Sequence, residues 1–133
     1  MENKIKHLEF IQNVITRMNS NSFLIKGWSV TLVSALFALA AKDANLNYAL
    51  ISYFVIPVFW LLDGFFIAIE RRYRDLYKEV SNINEGNIDF SMDTAKFVIG
   101  NRTWICGILS KTLIPFYGIL LVTTLIVMFF IKK

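Results

Sequence analysis

Residues 48–74 read YALISYFVIPVFWLLDGFFIAIERRYR. The first 22 of them, residues 48–69, carry a single charge, at Asp63. A bilayer core about 30 Å thick requires about 20 apolar residues, so this run is long enough to span a membrane. Three arginines follow within the next five positions, and basic residues at one end of an apolar run mark the cytoplasmic side. The sequence therefore predicts a spanning helix that ends inside the cell and carries one acid at membrane depth.

Composition also favours a membrane protein. The chain has 133 residues and is 56% hydrophobic, against roughly 45–50% in soluble proteins. Its apolar residues form three long blocks, and a six-residue polar turn at residues 42–47 predicts an antiparallel hairpin between the first two. The sequence therefore predicts an all-α integral membrane protein with three transmembrane helices, at residues 23–41, 48–69 and 112–131.

Two further segments are predicted to be helical without spanning the membrane. Residues 1–22 have apolar side chains at three- to four-residue spacing, which indicates an amphipathic cytoplasmic helix. The sequence NSNS at residues 19–22 predicts a helix break before the first span. Residues 70–111 form a cytoplasmic or interfacial segment that begins as a helix. Because neither segment can build a core alone, we expect the first to pack in an oligomer and the second to pack between subunits or against a partner.

The distribution of basic residues predicts the orientation. Of the 14 lysines and arginines, 11 lie at or before the first block or between the second and third. This predicts a cytoplasmic N-terminus and a cytoplasmic middle segment. Lys132 and Lys133 would then lie outside, against the bias, unless the third run re-enters. Membrane topology and contact with anionic lipid account for the basic excess. The sequence shows no basic groove interleaved with aromatic residues, so we do not expect the chain to bind duplex nucleic acid.

Asp63 is the first candidate functional residue, because an ionisable group at membrane depth is costly and faces protein or water. Lys26 and Lys111 lie near the inner ends of their own spans, from where their long side chains can reach the depth of Asp63. Both are therefore candidates for an intramembrane salt bridge. Three arrangements are open: a pair between Asp63 and Lys26, an Asp63 that faces a water-filled path, or an Asp63 made neutral by burial.

Few other polar residues lie within the spans. Together with Asp63, four of them are candidates to line a conduction path: Thr31, Ser34, Thr123 and Thr124. Three helices can surround such a path only if several protomers close a ring, and a homotetramer is our first expectation. Thr31 and Ser34 also belong to a stripe of small residues that predicts a helix–helix seam; the stripe comprises Gly27, Thr31, Ser34, Ala38 and Ala41.

The residues that usually build catalytic or metal sites are scarce. The chain has one histidine, His7, expected among exposed positions, and one cysteine, Cys106. No phosphate-binding glycine loop, nucleophile elbow or zinc motif is present in the sequence. We therefore expect neither an enzyme nor a metal or other cofactor.

Three strings carry a family resemblance. They read HLEFIQNVITRMNSNSFLIKGWSVTLVSALFALAAKD at residues 7–43, FWLLDGFFIAIERRYRDLY at residues 59–77 and DFSMDT at residues 89–94. The chain resembles small bacterial inner-membrane effectors of anti-phage systems that are paired with a nucleotidyltransferase, of the Hailong type. The resemblance implies a homo-oligomeric channel, closed at rest, that depolarises the inner membrane on an infection signal.

A nucleotide or short oligonucleotide would be the signal for such a channel. Its phosphates would meet a basic cluster on the inner side, because guanidinium and ammonium groups bind phosphate oxygens; the cluster comprises Arg71, Arg72, Arg74, Lys78 and Arg102. Topology and helix salt bridges explain the same residues without a ligand. The alternatives to a channel are a non-conducting anchor that recruits a cytosolic partner through residues 73–97, and a holin-like pore.

Overall fold

The structure, a computed structural model, describes residues 2–43, 45–97 and 103–132. Its helices are α1 (Glu2–Asp43), α2 (Leu46–Ser81), α3 (Trp104–Ile108) and α4 (Leu113–Lys132), with single 3₁₀ turns at Glu85–Asn87 and Ala95–Phe97. The described residues contain no strand. By length and composition α1, α2 and α4 can each cross a membrane. The prediction of an all-helical chain with three candidate spanning helices is confirmed.

The two longest helices form an antiparallel hairpin. Helix α1 has 42 residues and α2 has 36. At a rise of 1.5 Å per residue they are about 63 and 54 Å long, close to twice the thickness of a bilayer core. The predicted break at residues 19–22 is wrong, because α1 continues through it. Ser22 is buried in the hairpin and donates its hydroxyl hydrogen bond to α2, so tertiary packing overrides a weak local preference.

The predicted stripe of small residues does not form the contact between α1 and α2. The whole stripe from Gly27 to Ala41 lies on the exposed side of α1. The buried row of α1 in this region is the neighbouring one, at Ser22, Ile25, Ser29, Val33, Leu36 and Ala40. It also contains small residues, and it faces a row on α2 that includes Ala49, Ser52 and Ala68. The two backbones can therefore approach closely along this second row.

At one end of the hairpin, the first half of α1 packs against the end of α2 within the same chain. Ile11 and Ile15 of α1 form a core with Leu76 and Val80 of α2. Side chains of the following loop, from Ile83 to Phe97, pack around it. The two segments therefore bury part of their apolar faces against each other within one chain. Ile5 and Phe10 of the first segment remain about half exposed, at 51% and 49%.

The loop after α2 also closes over the start of α1. The Glu85 carboxylate accepts hydrogen bonds from the backbone N–H groups of Asn3 and Lys4, at 2.8 and 3.1 Å, and so caps the helix N-terminus. His7 is buried rather than exposed, which corrects the prediction. Its Nε2 donates to the carbonyl oxygen of Ser91 at 2.9 Å because the folded loop covers the ring.

At the other end of the hairpin, α4 packs into the groove between α1 and α2. Val33, Ile56, Leu113 and Tyr117 form the core of this apolar half. Helix α4 starts on the side where the loop after α2 lies and runs parallel to α1. Residues 2–22 and the loop from residue 82 to residue 97 therefore share one end of the molecule.

Candidate functional site

A buried carboxylate lies where α1, α2 and α4 meet. Asp63 of α2 is fully buried. Its Oδ2 atom lies 2.6 Å from Lys26 Nζ of α1 and accepts a 2.9 Å hydrogen bond from the hydroxyl of Tyr117 in α4. Its Oδ1 atom accepts a short hydrogen bond from the Ser22 hydroxyl. Both carboxylate oxygens are thus hydrogen bonded, as a buried charge requires.

The helical repeat explains how α1 supplies two of these partners. Ser22 and Lys26 are one turn apart, so their side chains project from the same face. Lys26 also donates to Ser22 Oγ at 2.7 Å, which closes a small network around the carboxylate. On α4, the ring of Tyr117 stacks on Trp60 of α2, with centroids 5.7 Å apart. Of the three arrangements open for Asp63, the structure shows the pair with Lys26.

Helix α3 lies across α2 beside Asp63. Gly64 follows Asp63 directly, and a Cβ atom added there would lie 2.6 Å from Ile108 Cγ1; a Cβ on Gly107 would collide with the Gly64 carbonyl oxygen. Two indole groups hold the crossing. Trp60 Nε1 donates to the Ile108 carbonyl at 2.7 Å, and Trp104 Nε1 donates to the Leu61 carbonyl at 2.9 Å. The absence of two side chains therefore lets α3 contact the backbone of α2.

A cavity of about 780 Å³ opens beside the ion pair, and its wall includes Cys106 of α3. Lys26 lines it, with 17% of its side chain exposed, while Asp63 lies behind. The other charged groups of the wall are Arg71, Arg74, Lys111 and Glu70. Because Glu70 is the only carboxylate among these lining residues, the cavity is electropositive. We call it the inner cavity.

The structure brings together part of the predicted basic cluster. Arg71 and Arg74 line the inner cavity, and with Lys78 they also line a neighbouring cavity of about 430 Å³. Arg74 forms an ion pair with Glu70 at 2.6 Å, and Arg71 donates to the Cys106 carbonyl at 3.4 Å. Arg72 is half-buried and lines neither cavity. Arg102 lies outside the described residues. Lys111, the second candidate partner of Asp63, instead lies exposed at the rim of the inner cavity.

The residues predicted to line a conduction path do not converge within one chain. Thr31 and Ser34 are exposed on the outer side of α1, and Thr31 donates to the Gly27 carbonyl. Thr123 and Thr124 each donate to a carbonyl of α4 at 2.8 Å, and Thr124 is buried. Asp63 is therefore enclosed by protein while Thr31 and Ser34 face away from the bundle.

Two residues that hold Asp63 are not among the predicted site residues. Ser22 lies in the predicted helix break, although its spacing of four from Lys26 is a signal for a shared face. Tyr117 carries a hydroxyl inside an apolar run, and such a hydroxyl needs a hydrogen-bond partner. The searched part of the chain holds no group of three or more histidine, cysteine or acidic side chains that could bind a metal ion.

Comparisons with protein-family models, with curated proteins and with solved structures give no match.

Proposed function

We propose that the chain is an integral membrane protein of the bacterial inner membrane that assembles into a signal-gated ion channel and acts as a membrane-depolarising effector in anti-phage defence. The observation that carries this proposal is the enclosed ion pair between Asp63 and Lys26 inside the apolar half of a three-helix bundle. Charges at such a depth are expensive and mark ion pathways or gates.

The surface of the apolar half supports insertion into a bilayer. Its three helices expose many large hydrophobic side chains, a surface that water does not tolerate and lipid does; examples are Phe23, Trp28, Phe54, Phe65, Ile119, Val122, Leu125, Phe129 and Phe130. Residues 2–22 and the end of α2 carry the charged surface and extend beyond this half. With the N-terminus in the cytoplasm, both extensions lie on the inner side.

The closed environment of Asp63 supports a gate rather than an open pore. In this conformation the carboxylate has three partners and no exposed surface. Separating Lys26 from Asp63 would leave two unpaired charges in the apolar half, and each would need water or a new partner to stabilise it. We propose that this ion pair has a paired and a separated state, and that the signal shifts the population towards the separated state.

The face of α1 that points away from the other helices supports assembly from several copies. Thr31 and Ser34 are exposed within a stripe of small residues, where another helix can approach closely in lipid. A path between copies would then be lined by these hydroxyl groups. A closed ring of protomers, with four as the first expectation, satisfies this requirement.

The inner side supports a phosphate-bearing signal. Three basic residues, Arg71, Arg74 and Lys78, and one acid, Asp75, line a cavity on the hairpin. Guanidinium groups bind phosphate oxygens through paired N–H donors. We therefore propose a nucleotide or short oligonucleotide as the signal, with a nucleotidyltransferase as its source.

Membrane potential in single bacterial cells tests this function. Cells that express the chain together with its neighbouring genes would be followed with a potential-sensitive dye during phage infection. We expect rapid depolarisation that requires the infection signal. Asp63→Asn should depolarise cells without the signal, because it removes the charge that holds Lys26.

Asp93→Asn is the matched control, since Asp93 is an exposed acid outside the apolar half and should leave the response unchanged. If the potential stays constant in all cells while the protein is present in the membrane, the channel is excluded and the non-conducting anchor becomes the better interpretation. Killing on a fixed schedule without a signal would instead indicate a holin-like pore.

A further inference from the structure

The inner cavity lies at the boundary between the apolar and charged parts of the molecule. On α2 its wall extends from Ile67 to Arg74, across the point where the apolar run ends at Ile69. On the α4 side the wall ends at Thr112, directly before the apolar helix begins at Leu113. If the three helices span a bilayer, this boundary coincides with the level of the lipid head groups.

The charges of the inner cavity are not balanced. Arg74 is paired with Glu70 and Lys26 is paired with Asp63. Lys111 is exposed at the rim, and no carboxylate of the described residues forms an ion pair with it. Arg71, which donates a hydrogen bond to the Cys106 carbonyl, also lines the wall. A singly charged anion would complement the charge of Lys111.

The mouth of the inner cavity is apolar as well as basic. Phe23 of α1 is 77% exposed and Leu109 is 59% exposed, and both belong to the wall. Such side chains beside lysine and arginine suit a ligand with an anionic head and hydrocarbon chains. A small soluble anion would leave this apolar surface uncovered.

We propose that the inner cavity binds the head group of an anionic phospholipid from the leaflet on the Arg71 side. The phosphate lies among Lys111, Arg71 and Lys26, and the acyl chains run along Phe23 and Leu109. This inference requires the three helices to span a bilayer, but it does not require the chain to conduct ions.

Native mass spectrometry of the full-length protein in detergent tests the proposal by titration with phosphatidylglycerol and, separately, with phosphatidylcholine. We expect tighter binding of phosphatidylglycerol, with a first site filled at one lipid per chain. Lys111→Gln should weaken this site about five-fold, as expected for a basic residue worth about 1 kcal/mol near an anionic membrane surface. Lys111→Arg should retain it.

Lys6→Gln is the matched control. It removes one exposed positive charge from α1, about 30 Å along the helix from Lys26. The Lys6→Gln variant should bind phosphatidylglycerol as the unmodified protein does. Because Lys111 is exposed, its substitution should not disturb folding, and equal thermal midpoints of the two variants would show this.

Equal binding of the two lipids, or an unchanged affinity in Lys111→Gln, overturns the proposal. So does full competition by glycerol 3-phosphate, since it would assign the cavity to a soluble phosphate ester. Membrane potential is not part of this measurement. A lipid site without conduction would contradict the channel alone, and conduction without a lipid site would contradict this inference alone.

Discussion

At the scale of single residues, Asp63 has the most demanding environment in the chain. Its charge is buried with Lys26 and is further stabilised by Ser22 and Tyr117. Removing one partner of such a pair leaves an uncompensated charge, which typically costs about 3–5 kcal/mol. Removing both charges costs far less, because the desolvation penalty disappears with them.

Lys26→Met should therefore destabilise the protein by about 3–5 kcal/mol, and the double variant Lys26→Met/Asp63→Asn should recover more than half of that loss. Tyr117→Phe, which removes one hydrogen bond to the buried carboxylate and keeps the ring that stacks on Trp60, should cost about 1.5–3 kcal/mol. Unfolding in detergent followed by circular dichroism gives these values as a double-mutant cycle. Strictly additive effects of the two charge substitutions would contradict the coupling.

Asp63 was identifiable from the sequence because it is the single charge in its span, and Lys26 was identifiable as a partner because depth can be counted along a helix. Ser22 and Tyr117 were not identified. Which residues of α1 and α4 face Asp63 depends on how each helix is rotated about its axis. That rotation is set by packing between helices rather than by the hydrophobicity of one segment.

At the scale of elements, the contact between α2 and α3 depends on two glycines. Gly64 and Gly107 let the two backbones touch, and the indole groups of Trp60 and Trp104 bind across the crossing. This short helix lies beside the residue that precedes Gly64, so its position is coupled to that of Asp63.

Gly107→Ala should destabilise the protein by about 1–3 kcal/mol, because the new methyl group overlaps the backbone of α2. Gly118→Ala is the matched control. A Cβ atom there meets nothing within 4 Å, so this change should be neutral or slightly stabilising. Thermal unfolding of both variants in the same detergent tests the comparison, and equal midpoints would show that the crossing tolerates a side chain.

The spanning helices were predictable because their lengths follow from uninterrupted apolar runs. The continuity of α1 was not, because Asn and Ser are only weakly unfavourable in a helix and the packing of Ser22 against α2 outweighs that preference. The position of α3 on α2 depends on a contact between glycines 43 residues apart, and no local pattern indicates such a contact.

At the scale of the whole molecule, the chain partly buries its amphipathic segments against each other, and the exposed surface of its apolar half includes one side of α1. The buried row and the exposed stripe on α1 are neighbours, and both contain small residues. The exposed stripe is where we expect copies of the chain to meet.

Ser34→Cys in a Cys106→Ser background should form a disulfide between copies when membranes are oxidised, because a disulfide needs the two Cβ atoms to lie close together and a contact through the stripe provides this. Val122→Cys in the same background is the matched control, because it is also exposed but lies on α4. Non-reducing electrophoresis separates the products. More efficient cross-linking through position 122 than through position 34 would place the contact between copies on α4 instead.

The uninterrupted course of α1 has a mechanical consequence. The Glu85 carboxylate accepts hydrogen bonds from the first turn of this helix, and Lys26 lies about 35 Å further along the same helix. The helix has no break between its first turn and Lys26, since residues 19–22 remain helical. If α1 moves as a rigid helix, a sideways displacement of 2 Å at its N-terminal end corresponds to a rotation of roughly 3° about Lys26. A displacement of the N-terminal end of α1 is therefore transmitted along the helix to Lys26 and the ion pair with Asp63.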